Sequence, residues 1–324
     1  MGAGADEVHI VSPLPVKGAT AHADEATLLC SVAARIRALD PDVLTGWNVV
    51  DFDFAVLVAR AAALGVPFEI GRAPGPVRLA QDGSYTRQRR AEIPGRVVLD
   101  GIALVREAFI ALDDFSLETA SRTLLGRGKR IAHARGGRAA EIERLYREEP
   151  EAFVVYNRED AVLVQEILAR ESLLDLAVER SLLCGMQLDR VGASIASFDL
   201  LYLPELRRRG RVAPSVNRER VEGRVSGGAV MDSTPGLFRN VAVFDFKSLY
   251  PSLIRTFNLD PLAHARAPRD GGDAIVAPNG ARFSRDDAIL PALLDGFLAR
   301  REQAKQRGDR HADQAIKIMM NALF

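Results

Sequence analysis

VAVFDFKSLYPSLIR, running from Val241 to Arg255, changes character at its fifth residue. Four apolar residues, Val241, Ala242, Val243 and Phe244, read as a buried strand, and Asp245 follows at its end. Pro251 suits the first turn of a helix that begins near Ser248 or Leu249. The acid therefore sits where a strand hands over to a helix. Such a junction can offer a carboxylate to a metal ion and backbone N–H groups to a phosphate. It can equally be an ordinary turn with a surface acid, so the choice falls to the rest of the chain.

The chain has 324 residues, enough for about two domains. Hydrophobic content of 48% with 27% charged residues is ordinary for a soluble globular protein. Lys plus Arg and Asp plus Glu are both 43, so the total charge points to no nucleic-acid partner, and local patches must decide that question. Cys30 and Cys184 form no metal or redox spacing, which fits a reducing, cytoplasmic setting. The apolar run from Phe54 to Val66 is broken by Arg60 and is too short to span a bilayer, so no membrane partner is expected. The five histidines are scattered, and there is no GxxxxGK[ST], GxGxxG or GxSxG pattern.

Read in order, residues 1–20 are largely irregular, with a short strand at Val8 to Val11. Leu28, Val32, Ile36 and Leu39 recur at helical spacing from Asp24 to the break at Pro41. A strand is expected at Val43 to Trp47, a helix at Phe52 to Leu64, and a hairpin about Asp82-Gly83. That hairpin carries Arg72, Arg78, Arg87, Arg89, Arg90 and Arg96. A second basic stretch spans 122–138 and holds Lys129. Either stretch can grip a phosphate backbone or be solvated surface. A strand at Val97 to Asp100 precedes helices at Ile102 to Leu112 and from Ser116. The stretch from Glu151 to about Leu183 is strongly helical, and character changes at Leu188 to Gly192. Strands are expected at Ala229 to Met231 and Val241 to Phe246, loops and short strands over 260–288, and helices at Leu290 to Arg307 and His311 to Phe324.

Three carboxylates stand out. Asp53 follows the strand at 43–47, Asp160 lies four residues after Tyr156 on one helix face, and Asp245 ends the opening strand. Acids that converge from distant segments can hold two ions about 4 Å apart. Arg301 and Lys305, and likewise Lys317 and Asn321, are four apart, so two helix faces can present donors to a polyphosphate or simply be solvated.

Taken together, these segments resemble the family B DNA polymerases, closest to the bacterial DNA polymerase II branch. Asp245 to Ser252 is similar to the first palm motif, DxxSLYPS, and Lys317 with Asn321 to the fingers motif, KxxxN. LTGWNVVDFDF resembles the second exonuclease motif and YNRED the third, YxxxD. The resemblance implies Mg²⁺, with Mn²⁺ as a substitute, on Asp245 and the Phe246 carbonyl. Ser248 and Leu249 would meet the triphosphate, Tyr250 would lie under the incoming sugar, and Arg301, Lys305, Lys317 and Asn321 would line the triphosphate path. In the other domain Asp53 and Asp160 would hold the exonuclease metals. Tyr156 would orient the attacking water, and Asn48 and Phe52 would support the 3′ end.

Two parts of the family pattern are not found. No DxE pair, the first exonuclease motif, occurs in residues 1–47, and the second palm motif, with the partner acid of Asp245, is absent. The expected architecture is α/β: an RNase H-like 3′–5′ exonuclease domain with a mixed sheet over 1–187, a partial palm over 188–289, and two fingers helices over 290–324. The implied function is template-directed DNA synthesis with 3′–5′ proofreading in replication or repair. The implied partners are primer-template DNA, a single-stranded 3′ end, deoxynucleoside triphosphates and a sliding clamp for the full-length enzyme, in a nucleoid-associated cytoplasmic location. The chain alone is expected to have little polymerase activity and to expose apolar palm surface that favours association. A stand-alone 3′–5′ nuclease and a non-catalytic DNA-binding module are the alternatives.

Overall fold

Asp24 starts the first long helix by accepting a hydrogen bond from the Thr27 N–H at 2.7 Å, and the helix, α1, spans Glu25–Leu39. It ends at Asp40, whose left-handed backbone turns the chain before Pro41. The computed structural model describes residues 5–81, 89–129, 137–192, 194–215, 231–246, 248–268, 272–286 and 288–323, with only the backbone at Arg138 and Ser194. The chain divides into two compact units. The first comprises residues 1–197 with 304–319, and the second 198–303 with 320–324.

In the first unit, β1 (His9–Val11) pairs in parallel with β2 (Thr20–His22). After α1, β3 (Val43–Gly46) leads into a wide helical turn, Val49–Phe54, and α2 (Ala55–Leu64), which Gly65 closes. β4 (Arg78–Gln81) and β5 (Arg89–Glu92) are antiparallel; the expected Asp82-Gly83 turn lies outside the described residues. β6 (Val97–Asp100) pairs in parallel with β3, from Val43 opposite Val97 to Gly46 opposite Asp100. The core between these strands and α1 and α2 includes Leu29, Phe54, Phe68, Ile70 and Val98. Burying each of these large side chains contributes about 2 kcal/mol. One mixed sheet was expected; among the described residues the strands form two-stranded sheets, both parallel and antiparallel.

The helices of this unit differ from expectation in three places. α3 spans Gly101–Glu107 and stops short of Leu112, because Phe109 turns left-handed at φ 58°. α4 (Leu117–Leu125) starts as expected, with Ser116 accepting from the Thr119 N–H. The helical stretch expected from Glu151 is divided into two helices, α6 (Pro150–Arg170) and α7 (Leu173–Cys184). Ser172, at φ 48°, breaks them apart so that they pack on each other. α5 (Arg138–Glu148) precedes them and was not anticipated.

α8 (Ser194–Arg208), also unanticipated, leads into the second unit. There α9 (Leu249–Phe257), α10 (Pro261–Arg266), the hairpin β7 (Ala274–Val276) and β8 (Arg282–Ser284), and α11 (Leu290–Gln306) follow. α12 (Arg310–Asn321) follows a turn at Gly308, and its residues up to Met319 belong to the first unit. Asp260, 3% exposed, anchors this unit. Its Oδ1 accepts from the Tyr202 hydroxyl at 3.1 Å and the Ala263 N–H at 2.9 Å. Its Oδ2 accepts from the Ile289 and Leu290 N–H groups at 3.0 and 2.9 Å. One carboxylate thus caps both α10 and α11.

Val241 to Phe246 is not a strand. The segment has no regular structure, and Val243 and Phe244 are 90% and 92% exposed. An apolar run becomes a strand only against a hydrogen-bonding neighbour, and among the described residues none pairs with it. The strand expected at Ala229 to Met231 falls largely outside the described residues. No helix among the described residues is long and apolar enough to cross a membrane.

Candidate active site

β3 and the turn after it build one wall of a pocket. Beyond Gly46 and Trp47, Asn48 adopts a left-handed conformation, φ 58° and ψ 31°, and its carbonyl accepts from the Phe52 N–H at 3.0 Å. Val49, Val50 and Phe54 turn inward. Phe52, 61% exposed, and Asp53 are left on the open side. The opposite wall is α6, packed on α4, which presents Tyr156 and Asp160 one turn apart. The cavity between the walls is about 750 Å³, and Asn48, Phe52, Asp53, Lys129, Tyr156 and Asp160 all line it. The structure therefore gathers every residue expected at the exonuclease site.

Lys129 is the member that sequence reasoning missed; it was counted only as one cation of a basic stretch. Its backbone N–H donates to Glu118 Oε2 at 2.7 Å, which holds the loop against α4. Its side chain is 8% exposed, and its ammonium group pairs with Asp160 Oδ2 and donates to the Tyr156 hydroxyl at 3.4 Å. The other Asp160 oxygen, Oδ1, is buried without a hydrogen-bond partner among the described residues. A buried acceptor without a donor is costly in a pure protein environment, and it suits a cation. Asp53 opens to the pocket, yet the surrounding walls withdraw enough water to push its carboxyl above the usual carboxylate range, and the nearby Asp100 charge adds to this. The donor set is thus hard oxygen, as a divalent magnesium-like ion prefers. Among the described residues no three His, Cys, Asp or Glu side chains gather around one point.

The basic stretches are partly committed to internal pairs. Arg72 bonds Asp40 and Asp42, both at 2.7 Å. Arg96, its side chain 1% exposed, bonds the Ile70 carbonyl at 2.7 Å and Asp40 at 2.9 Å. Arg122 pairs with Glu118, and Arg127 with Glu166. Arg87 and residues 130–136 lie outside the described residues.

The polymerase candidates lie on the segment before α9 and on α9, α11 and α12. Asp245 and Phe246 lie in the exposed segment before α9. Ser248, left-handed at φ 56°, stands at the N-terminal end of α9 without a side-chain capping bond, and Leu249 and Tyr250 occupy its first turn at the surface. Arg301 and Lys305 are one turn apart on α11, and Lys317 and Asn321 one turn apart on the exposed side of α12.

Comparison with known proteins matches both halves of the chain to one group. The profile of DNA polymerase family B matches residues 188–323, and that of the family B exonuclease domain matches residues 6–120. The chain belongs to the family B DNA polymerases. DNA polymerase II of Escherichia coli (strain K12) is 38% identical over 93% of this family B chain. A DNA polymerase of Desulfurococcus sp. (strain Tok) is 31% identical over 89%. The chain spans only 39% and 38% of those two relatives. The structure of the family B DNA polymerase from the archaeon Pyrobaculum calidifontis superposes with a TM-score of 0.69 at 26% identity, covering 93% of this chain and 40% of that one. The α/β fold is accordingly that of a family B exonuclease domain followed by palm elements. Enzymes of family B and their exonuclease domains are generally metal-dependent.

Proposed function

We propose that this chain supplies the exonuclease domain, to about residue 187, and the first palm and fingers elements of a DNA-directed DNA polymerase that proofreads its product 3′ to 5′. The observation that carries this reading is the single pocket lined by Asn48, Phe52, Asp53, Tyr156 and Asp160. A single-stranded 3′ end enters between the two walls, where the exposed Phe52 ring offers a stacking face and Asn48 a polar contact. Asp53 and Asp160 would hold Mg²⁺, or Mn²⁺ in its place. When bound, the ion would supply positive charge to the scissile phosphate and acidify a water. Lys129 adds a fixed positive charge beside the same carboxylate, and Tyr156, held by Lys129, orients the water. Asp245, Phe246, Ser248, Leu249, Tyr250, Arg301, Lys305, Lys317 and Asn321 serve primer-template and deoxynucleoside triphosphate in the full-length enzyme.

The test is release of nucleotides from a single-stranded oligonucleotide with Mn²⁺ or Mg²⁺, against an Asp160→Ala control. Equal release by both proteins would overturn the assignment. A second reading, a stand-alone nuclease, is favoured by one contrast: Asn48, Phe52, Asp53, Tyr156 and Asp160 line one pocket, whereas Asp245 is exposed on a segment that pairs with no strand among the described residues. In either case the isolated chain is expected not to extend a primer, since two ions need more than one acid. Robust template-directed extension by the pure protein would refute that expectation.

A further inference from the structure

Asp100 lies at the end of β6, opposite Gly46 in the parallel register, and lines no part of the nuclease pocket. Its two oxygens point to different elements. Oδ1 accepts from the Ile102 N–H at 2.9 Å, which caps α3. Oδ2 accepts from the Val50 N–H at 3.2 Å, across to the turn that follows β3. Val50 is 6% exposed and sits in the first turn of a helical segment, where an N–H has no partner of its own four residues back. The two elements are also in close contact: a Cβ added at Gly101 would stand 2.9 Å from the Trp47 ring and 3.0 Å from the Gly46 carbonyl. Burial pushes the Asp100 carboxyl above the usual range against four backbone N–H groups that draw it down, among them those of Val50 and Asn48.

We infer that Asp100 is a positioning residue for the nuclease pocket, whose carboxylate clamps the turn that carries Asn48, Phe52 and Asp53. The inference rests on the nuclease reading for its consequence, though not for its geometry. A helix cap needs one oxygen; the second oxygen bonds the N–H three residues before Asp53. With the clamp removed, the left-handed step at Asn48 loses its tie to β6, and the side chains downstream lose their fixed direction. Small errors of this kind in a site are felt strongly in binding and rate.

Asp100→Ser separates the two roles, because a serine hydroxyl can cap α3 but is too short to reach Val50 as well. Hydrogen–deuterium exchange of the 49–54 amides and metal-free binding of an oligothymidylate 3′ end are measured for wild type, Asp100→Ser and Asp24→Ala. The last removes an unrelated cap at α1. Asp100→Ser is expected to raise exchange at Val50 to Phe54 at least tenfold over Asp24→Ala and to weaken oligothymidylate binding about fivefold, with helix content unchanged. Exchange at 49–54 within twofold of Asp24→Ala would overturn the inference, as would wild-type behaviour of the serine variant in both assays. If wild type itself binds no 3′ end, the nuclease reading fails, and the exchange comparison still decides whether Asp100 clamps the turn.

Discussion

The ammonium of Lys129 touches both functional groups that α6 presents to the pocket, the Asp160 carboxylate and the Tyr156 hydroxyl. It sits almost out of water, so its charge is weakly screened. Lys129→Ala is therefore expected to slow single-turnover nucleotide release by about a hundredfold, the usual cost of one lost charge-stabilising donor. A rate within threefold of wild type would show that the lysine is only structural. Glu107 makes a prediction about pH. Burial in α3 pushes its carboxyl up to about 7, and Arg180 at 3.8 Å only partly opposes this. The folded state thus holds the proton more tightly than the unfolded chain, whose carboxyl titrates near 4.5. This contribution is fully present below pH 4.5 and is lost as pH rises through about 7. It amounts to roughly 3 kcal/mol at most. Urea unfolding at pH 5 and pH 8 should show the loss in wild type and a flatter profile in Glu107→Gln. Parallel profiles would disprove it.

Among the elements, α10 and α11 begin on one carboxylate. Asp260 accepts from three backbone N–H groups and one phenol. Asp260→Asn keeps the size of the side chain but turns an amide NH₂ towards donors. It should therefore cost about 3 kcal/mol, nearly as much as Asp260→Ala, because buried N–H groups are left unpaired in both. A variant that unfolds at the wild-type urea midpoint would contradict this. Periodicity made most helices legible, since an apolar face repeats visibly in α1, α11 and α12. It could not separate α6 from α7. In the sequence, Leu163, Ile167, Leu174 and Val178 stand at helical spacing straight through the break, and the left-handed backbone of Ser172 carries no strong residue signal. The same limit hid the end of α3, where an exposed Phe109 adopts a conformation that glycine or asparagine normally marks.

For the molecule as a whole, the segment from Leu237 to Phe246 leaves Leu237, Phe238, Val243, Phe244 and Phe246 mostly in solvent. Contiguous exposed apolar surface of this kind drives association. Replacing Val243 and Phe244 together by serine should lower light scattering of the purified chain and its binding of a hydrophobic dye, without shifting the thermal unfolding midpoint. Unchanged scattering would remove the segment as the cause. The family was legible in the sequence because its motifs are short, local and ordered: each places an acid, an amide or a cation at a fixed step along one strand end or helix face. Asn48, Phe52, Asp53, Tyr156 and Asp160 could be named from such local steps, and the structure sets them around one cavity. Lys129 and Asp100 could not. Their roles depend on a loop closing onto α6 and on β6 lying beside β3, contacts between residues far apart in sequence. The apolar run at Val241 shows the converse: its pattern specified a strand, but a strand exists only when another edge hydrogen-bonds to it, and that is decided by tertiary structure.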